Sequence, residues 1–517
     1  MRSTITLLAA LLLTPSVALH AGEGNNVLPT ASMGTFTNPI LAGDYADPSM
    51  VKVGEDFYLT HTSFRYAPGL MIWRSRDLVH WTPVTRALQQ YDGDVWAPDI
   101  VYFKNRFYIY YPSLSKTHGT VSIHVISADR IEGPWSQPVD LKIDKDKRLI
   151  DPGHVVGTDG KRYLHLSNGH VIELTEDGLA VAGSARKVYD GWPIPPDWRV
   201  EGFCLESPKL LHRDGWYHLF SAQGGTGGPS TSHMVVEARS RTPMGPWENS
   251  PLNPVVHTDS RLEKWWSRGH GTVFEATPGS WWMVYHGYDR ENLALGRQTL
   301  MEPISWTPEG WARVPAGVNP ARPIHTPPLA SAPLPPLERS DEFAGPRLGI
   351  QWQFWDEFDP ERIKFSSHAL VMAGKGTSPA DCGPLACMAG DDAYEVTLEV
   401  EVEDGVQAGL ILFYNPQFYA GVGITKECLW AGERGQLKKN RPMKSSHRMF
   451  LRIVNDPGDV DFLAGPTLDS LTKIYNSISV RGYTHQTLGG FLSLRPALYC
   501  AGKGQAIFRQ FRYRQLE

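Results

Sequence analysis

The chain has 517 residues, with 50 Lys and Arg against 55 Asp and Glu and a formal net charge of −5. That is too long for one ordinary core and, with no basic run, excludes a nucleic-acid surface. The expected partner is neutral, and the 17 Trp and 20 Tyr suit the C–H faces of sugar rings as well as strands in general.

In chain order, residues 1–21 have one Arg, a short apolar run and small residues ahead of cleavage positions after Ala18 or Ala21. This is the pattern of a secretory signal peptide and is too short for a spanning helix. The mature protein is therefore expected to be exported, to a periplasm or the medium, with no membrane partner. Five cysteines, Cys204, Cys382, Cys387, Cys428 and Cys500, lack zinc spacing. They are read as buried or free thiols, although Cys382 and Cys387 flank GPLA closely enough for a local bridge.

Five segments then share one layout: YADPSMVKVGEDFYLTHTS, WAPDIVYFKNRFYIYYPS, LIDPGHVVGTDGKRYLHLS, LESPKLLHRDGWYHLFSAQG and GHGTVFEATPGSWWMVYHG. Each has a polar or small start, an alternating strand, a tight turn and an aromatic-rich second strand, which is a β-hairpin signature. Their spacing leaves room for two more strands per unit, so an all-β, five-bladed propeller is expected. The interleaved segments end in Trp81, Trp135 and Trp247, expected to pack between blades. The proline after Asp47 excludes helical backbone and predicts an extended residue there.

In a propeller the innermost strands start at one face around a common axis. Their starts carry Asp47, Trp96 and Asp99 of WAPD, Asp151, Glu206 and His270. Converging carboxylates repel one another, a cost that structure alone does not require. Glu201 and Asp197 precede Glu206 in DWRVEGFCLESP; Glu206 falls at the start of the inner strand and Glu201 in the loop before it.

At these residues the chain resembles glycoside hydrolase family 43, through the Asp-Pro of the first unit, WAPD, the second Asp-Pro, Glu-x-Pro and the closing LGRQTL. The resemblance covers residues 36–314 and implies an inverting glycosidase acting at non-reducing ends. In that reading Asp47 is the general base, Glu206 the general acid and Asp151 the residue that orients the acid and tunes its pKa. A carboxylate beside the acid is expected to raise its pKa, and inversion needs base and acid about 6.5–9.5 Å apart. Arg297 matches an arginine that reaches the sugar, Trp96 is expected to wall the pocket, and Arg65 and Trp73 are expected to line it. His270 is expected in the channel as a pocket-lining histidine. The resemblance allows a structural calcium ion near it, held mostly by water, and no cofactor is required for the chemistry.

Residues 315–340 are proline-rich and read as an extended connector along a surface. From Asp341 to Glu517, alternation in AYEVTLEVEVE, AGLILFY, HRMFLRIV and GGFLSLRPALY predicts an antiparallel, concanavalin-like β-sandwich, similar to that of the xylosidase-like branch of the family. A tight contact with the propeller would close the pocket around a chain end. The sugars implied are β-D-xylose or α-L-arabinofuranose, from oligosaccharide or polysaccharide ends. The alternatives are another exo-activity such as β-D-galactofuranosidase, a retaining fructan-cleaving enzyme, disfavoured by YADPS at its first acid, and a non-catalytic sugar-binding protein.

Overall fold

The computed structural model describes residues 34–517 apart from 91–92, 144–147, 328, 330–331 and 443–446. The signal-peptide expectation, residues 1–21, lies outside the described residues.

Five antiparallel sheets, each containing four strands in chain order among the described residues, make the propeller. Blade one is Ser49–Val53, Asp56–Thr60, Gly69–Ser75 and Thr82–Leu88. Blade two is Asp99–Phe103, Arg106–Leu114, Val121–Ala128 and Val139–Asp140, with Asp94–Val95 paired to the far end of its second strand. Blade three is Gly153–Val156, Arg162–Leu166, His170–Leu174 and Arg186–Lys187. Blade four is Glu206–Arg213, Trp216–Gln223, Met234–Ser240 and Glu248–Asn249. Blade five is Trp265–Thr277, Ser280–Asp289, Arg297–Trp306 and Ala312–Arg313. The inner hairpins turn where the sequence has its turn residues: Lys104–Asn105 and Asp214–Gly215 each put two successive positive φ angles at the tip, the backbone that a two-residue hairpin turn needs.

The blades are joined by apolar clusters in which the expected tryptophans take part. Trp81 packs with Phe57, Phe274 and Trp282 between blades one and five, and Trp135 against Tyr58, Ile109 and Ile126 between blades one and two. Trp247 packs against Tyr163 and Tyr217 between blades three and four. The ring closes where Leu41 bridges Thr299 and the Asn38 side chain exchanges hydrogen bonds with the backbone of Met301. Near the axis, Lys209 Nζ donates to Asp99 Oδ1 (2.9 Å) and to the carbonyls of Pro98 and Pro152. One buried ammonium thus ties blades two, three and four.

The connector is less featureless than its composition predicts. Ile324–His325 pairs with Thr35–Phe36 as a two-stranded sheet, and the Pro320 carbonyl accepts from Trp265 Nε1. The prolines prevent a long strand, but the short proline-free stretch between them can pair.

The C-terminal half packs two large antiparallel sheets face to face. One runs Gln436–Pro442, Cys428–Glu433, Phe418–Ile424, Val406–Asn415, Arg495–Gly502, Leu385–Cys387 and Trp352–Trp355. Its last neighbour is Tyr66–Ala67 from the blade-one loop, paired as Phe354 with Ala67 and Trp355 with Tyr66. The other sheet contains Tyr394–Val402, Arg448–Asp456 and Gln505–Gln515. The apolar core between the sheets continues into the propeller through Phe64, Tyr66, Ala294 and Leu295. All five cysteines are free thiols, four of them buried.

Two expectations change at the backbone level. Asp47 has φ = 58° and Asp151, also followed by proline, φ = 55°, so neither is extended; Ser207 and His270 repeat the pattern at 50° and 56°. Proline forbids helical backbone at the residue before it but does not choose among the rest. Tertiary hydrogen bonds, such as that of the Asp47 amide with His286 Nδ1 at 3.1 Å, hold the left-handed form. Residues of this kind cluster where a site over-determines its backbone.

Candidate active site

The inner strands bring Asp47, Asp151, Glu206 and His270 together on one cavity, as the register of the five units requires. His270 stands at the centre. Its Nδ1 is 3.4 Å from Asp47 Oδ1, and its Nε2 is 3.4 Å from Glu206 Oε1 and 3.9 Å from Asp151 Oδ2. The two ring nitrogens face opposite edges of the imidazole, so Asp47 and Glu206 lie across it from each other. The ring and its two contacts cap the separation of their oxygens at roughly 9 Å, and an inverting pair stands about 6.5–9.5 Å apart to admit a water beneath the sugar.

Asp47 is the most heavily bound acid. Arg297 Nη1 lies 2.8 Å from Oδ1 and His286 Nδ1 3.0 Å from it, while the Thr62 hydroxyl donates to Oδ2. Burial alone would raise this carboxyl, but the Arg297 charge, followed by His270 and His286, outweighs it and holds Asp47 well below the ordinary range. Asp47 is thus a carboxylate at neutral pH.

The other two acids differ from expectation. Burial, then Glu206 and Asp47, pushes Asp151 up to about 7 against the pull of His270. Glu206 is itself subject to burial, yet the close approach of His233 and His270 pulls it down to about 2. The sequence reading expected the raised carboxyl to be Glu206. In the sugar-free site burial raises Asp151, while His233 Nε2 (3.6 Å) and His270 Nε2 both approach Glu206 Oε1 and favour its anion. Asp151 accepts the Ser207 amide at 3.1 Å, which fixes it beside Glu206.

The cavity measures about 410 Å³ and is walled by Phe64, Trp96, Glu201, Cys204 and Thr226 of the propeller and by Gly490 and Phe491 of the sandwich. Trp96 and Arg297 are therefore where the sequence placed them. Glu201 sits at the wall, outside the inner strand. It accepts the Gly227 amide at 2.7 Å and packs so closely that a Cβ on Gly225 or Gly228 would come within 2.5 Å of it. Trp73 does not line the cavity: it is 2% exposed and packs edge-on to Tyr45 in blade one, since its strand position faces the interblade core. Arg65 also turns away, binding Asp356 of the sandwich through Nε at 2.8 Å and lying over the Trp355 ring. Asp99 is held by Lys209 and Ser49 in the blade knot rather than in the cavity.

A profile of the family "Glycosyl hydrolases family 43" matches residues 36–312, and one of the "Beta xylosidase C-terminal Concanavalin A-like domain" matches residues 340–514. The chain belongs to glycosyl hydrolase family 43. This family 43 protein is 27% identical to the non-reducing end alpha-L-arabinofuranosidase of Bacteroides ovatus, over 91% of its own length and 92% of that enzyme's. It is 29% identical to a xylan 1,3-beta-xylosidase of a Vibrio species, over 61% of its own length and 64% of the relative's. Among solved structures, the family 43 protein of Bacillus licheniformis superposes with a TM-score of 0.85 at 26% identity, covering 93% of this chain and all of the other. The xylan beta-1,4-xylosidase of Bacillus halodurans gives 0.84 at 25% over the same shares.

Sequence reasoning missed His233 and His286, which pack against His270, His286 stacked at 5.0 Å and His233 tilted at 5.4 Å. The available signal was a buried histidine, just before a strand in SHMVV and within one in VYHGY. Phe491 had no signal, because its chain position is remote from every blade.

Glu206, His233 and His270 offer three potential metal ligands within 4.8 Å of one another. Two imidazoles and one carboxylate oxygen do not make a calcium site, which calls for six to eight oxygens. The donors are those of a softer divalent ion. A calcium ion beside His270 would have to draw most of its oxygens from water, and no catalytic step is assigned to a metal.

Proposed function

We propose that this protein is an exo-acting, inverting glycosidase that releases β-D-xylose or α-L-arabinofuranose from non-reducing ends of plant-type oligosaccharides or polysaccharides. The observation that carries the reading is the opposition of Asp47 and Glu206 across His270 in one cavity.

Asp47, ionised, accepts a proton from water as the water oxygen bonds to the anomeric carbon. The bond from that carbon to the leaving oxygen breaks on the opposite face, and Glu206 donates a proton to the departing oxygen. Glu206 acts in its protonated form, with Asp151 beside it to orient it and tune its pKa, and His270 Nε2 lies within 3.9 Å of both acids. Arg297 keeps the base ionised, and Thr62 and His286 orient it. Phe491 and Gly490, from the sandwich, wall the cavity on one side, which favours a chain end over the middle of a polymer. The names of the relatives support the pentose reading.

The protein is further proposed to be exported, with cleavage after Ala18 or Ala21. Amino-terminal sequencing of material recovered outside the cytoplasm tests this.

Time-resolved proton NMR of the protein with aryl β-D-xylopyranoside, α-L-arabinofuranoside and β-D-galactofuranoside tests the central reading. The inverted anomer should appear first from a pentoside, and Glu206→Ala should release none. A retained anomer removes the base-and-water role from Asp47, and activity on the galactofuranoside alone replaces the sugar.

A further inference from the structure

We infer that Asp94 is a sugar-binding residue whose carboxylate accepts hydroxyl groups of the sugar seated beside Trp96. The inference rests on the carbohydrate reading of the cavity and adds to it a specificity-determining residue outside the three acids.

Asp94 and Trp96 line the same cavity as Asp47, Asp151 and Glu206. They stand two residues apart on extended backbone, so their side chains share a face. That backbone is fixed from both sides. Asp94–Val95 pairs with Ser113–Leu114 of blade two, the Val95 amide and carbonyl exchange hydrogen bonds with Phe64 of blade one, and the Trp96 amide donates to the Pro112 carbonyl. Just before them, Gly93 turns with φ = 102° against the Leu114 carbonyl, where any Cβ would collide. Rigid backbone thus aims this carboxylate into the cavity.

Among the described residues Asp94 has neither a hydrogen-bond partner for its carboxylate nor an ion pair. The cation that acts on it, Arg65, is already engaged with Asp356, as Arg297 in the same cavity is with Asp47. Burial, offset in part by Arg65 and reinforced by Asp356, pushes the Asp94 carboxyl up to about 6. A half-buried acid with no donor of its own costs stability, and that cost is offset only when a ligand brings the donors. Vicinal sugar hydroxyls are such donors, since a carboxylate can accept two of them at once, while the neighbouring Trp96 ring offers a face to the sugar's C–H patch. The pairing of a flat aromatic face and a charged acceptor, two residues apart, matches the C–H face and the hydroxyl edge of a pyranose or furanose ring.

The test uses the mature protein and two variants, Asp94→Ala and Asp94→Asn. Sugar affinity is measured by calorimetry, and sugar-free melting temperature alongside it, with a panel of D-xylose, L-arabinose, D-galactose and D-glucose. The expected result is a Kd for the preferred sugar at least about tenfold weaker in Asp94→Ala, equivalent to about 1.4 kcal/mol. Sugar-free melting of Asp94→Asn should equal or exceed that of the parent, because an ionised acid without a partner has been removed. An unchanged Kd overturns the inference. So does a lower sugar-free melting temperature in Asp94→Asn, which would make the acid structural. A hexose as the preferred sugar overturns only the pentose reading, and no binding by the parent to any of the four overturns both.

Discussion

Asp47 Oδ1 and Arg297 Nη1 form a 2.8 Å ion pair that joins blade one to blade five with both side chains buried. The same guanidinium lies over Phe64 of the propeller, 5.7 Å from its centroid, and Phe491 of the sandwich, at 5.2 Å. One cation therefore holds the proposed base ionised and links it to walls contributed by both halves of the protein.

Arg297→Met should leave Asp47 buried without its cation. A carboxyl held below its unfolded value contributes stability that is present above that value and lost as pH falls through the folded one. Removing Arg297 shrinks this contribution and moves the acid limb of kcat/KM to higher pH. Breaking a buried pair on one side costs about 3–5 kcal/mol. Denaturant unfolding and a pH–rate profile check both effects, and Arg297→Lys should recover part of each.

Glu206→Gln should lower kcat on alkyl or sugar leaving groups by about 10²–10⁴, the usual worth of a positioned acid. Dinitrophenyl glycosides, whose leaving group departs without a proton, should lose far less. Asp47→Ala should be equally slow on both classes. Steady-state rates on matched substrates separate the two roles.

For Asp151 the sign is reversed. Its folded value of about 7 stands above the ordinary 3.8, so its protonated form contributes stability below 3.8 that disappears as pH rises through about 7. Asp151→Asn does not titrate and should gain on the parent as pH rises from about 4 to about 7, on the order of 2 °C in Tm. Activity should fall, because Glu206 then lacks the carboxyl that orients it and tunes its pKa. Melting curves across that pH range give the first result and rates the second.

Phe491→Ala should raise KM about tenfold, with a smaller effect on kcat, by removing a ring from the cavity wall; this corresponds to about 1.4 kcal/mol. The ring is held by stacking on His485 at 3.6 Å and by its own amide donating to His485 Nδ1 at 2.9 Å. His485→Ala should therefore reproduce part of the KM effect without touching the cavity. Michaelis parameters for both variants decide it.

The sequence by itself determined the architecture and the inner ring of the site. Five hairpins with acids or histidine at one register could only converge on an axis, so Asp47, Asp151, Glu206 and His270 were legible from periodicity and spacing. Strand alternation likewise disclosed the sandwich. What only the tertiary structure decided was which neighbours each of these groups would meet. Glu206 is drawn towards its anion because His233 and His270 both approach its Oε1, and no local pattern encodes that approach. Arg65 was captured by Asp356 and Trp73 by Tyr45, whereas Phe491 reached the cavity from a separate sheet. Periodicity fixes the face on which a side chain stands, because it follows from backbone geometry alone. Partnership between residues hundreds of positions apart depends on how whole sheets pack, and through it come the burial and charge that set each group's chemistry.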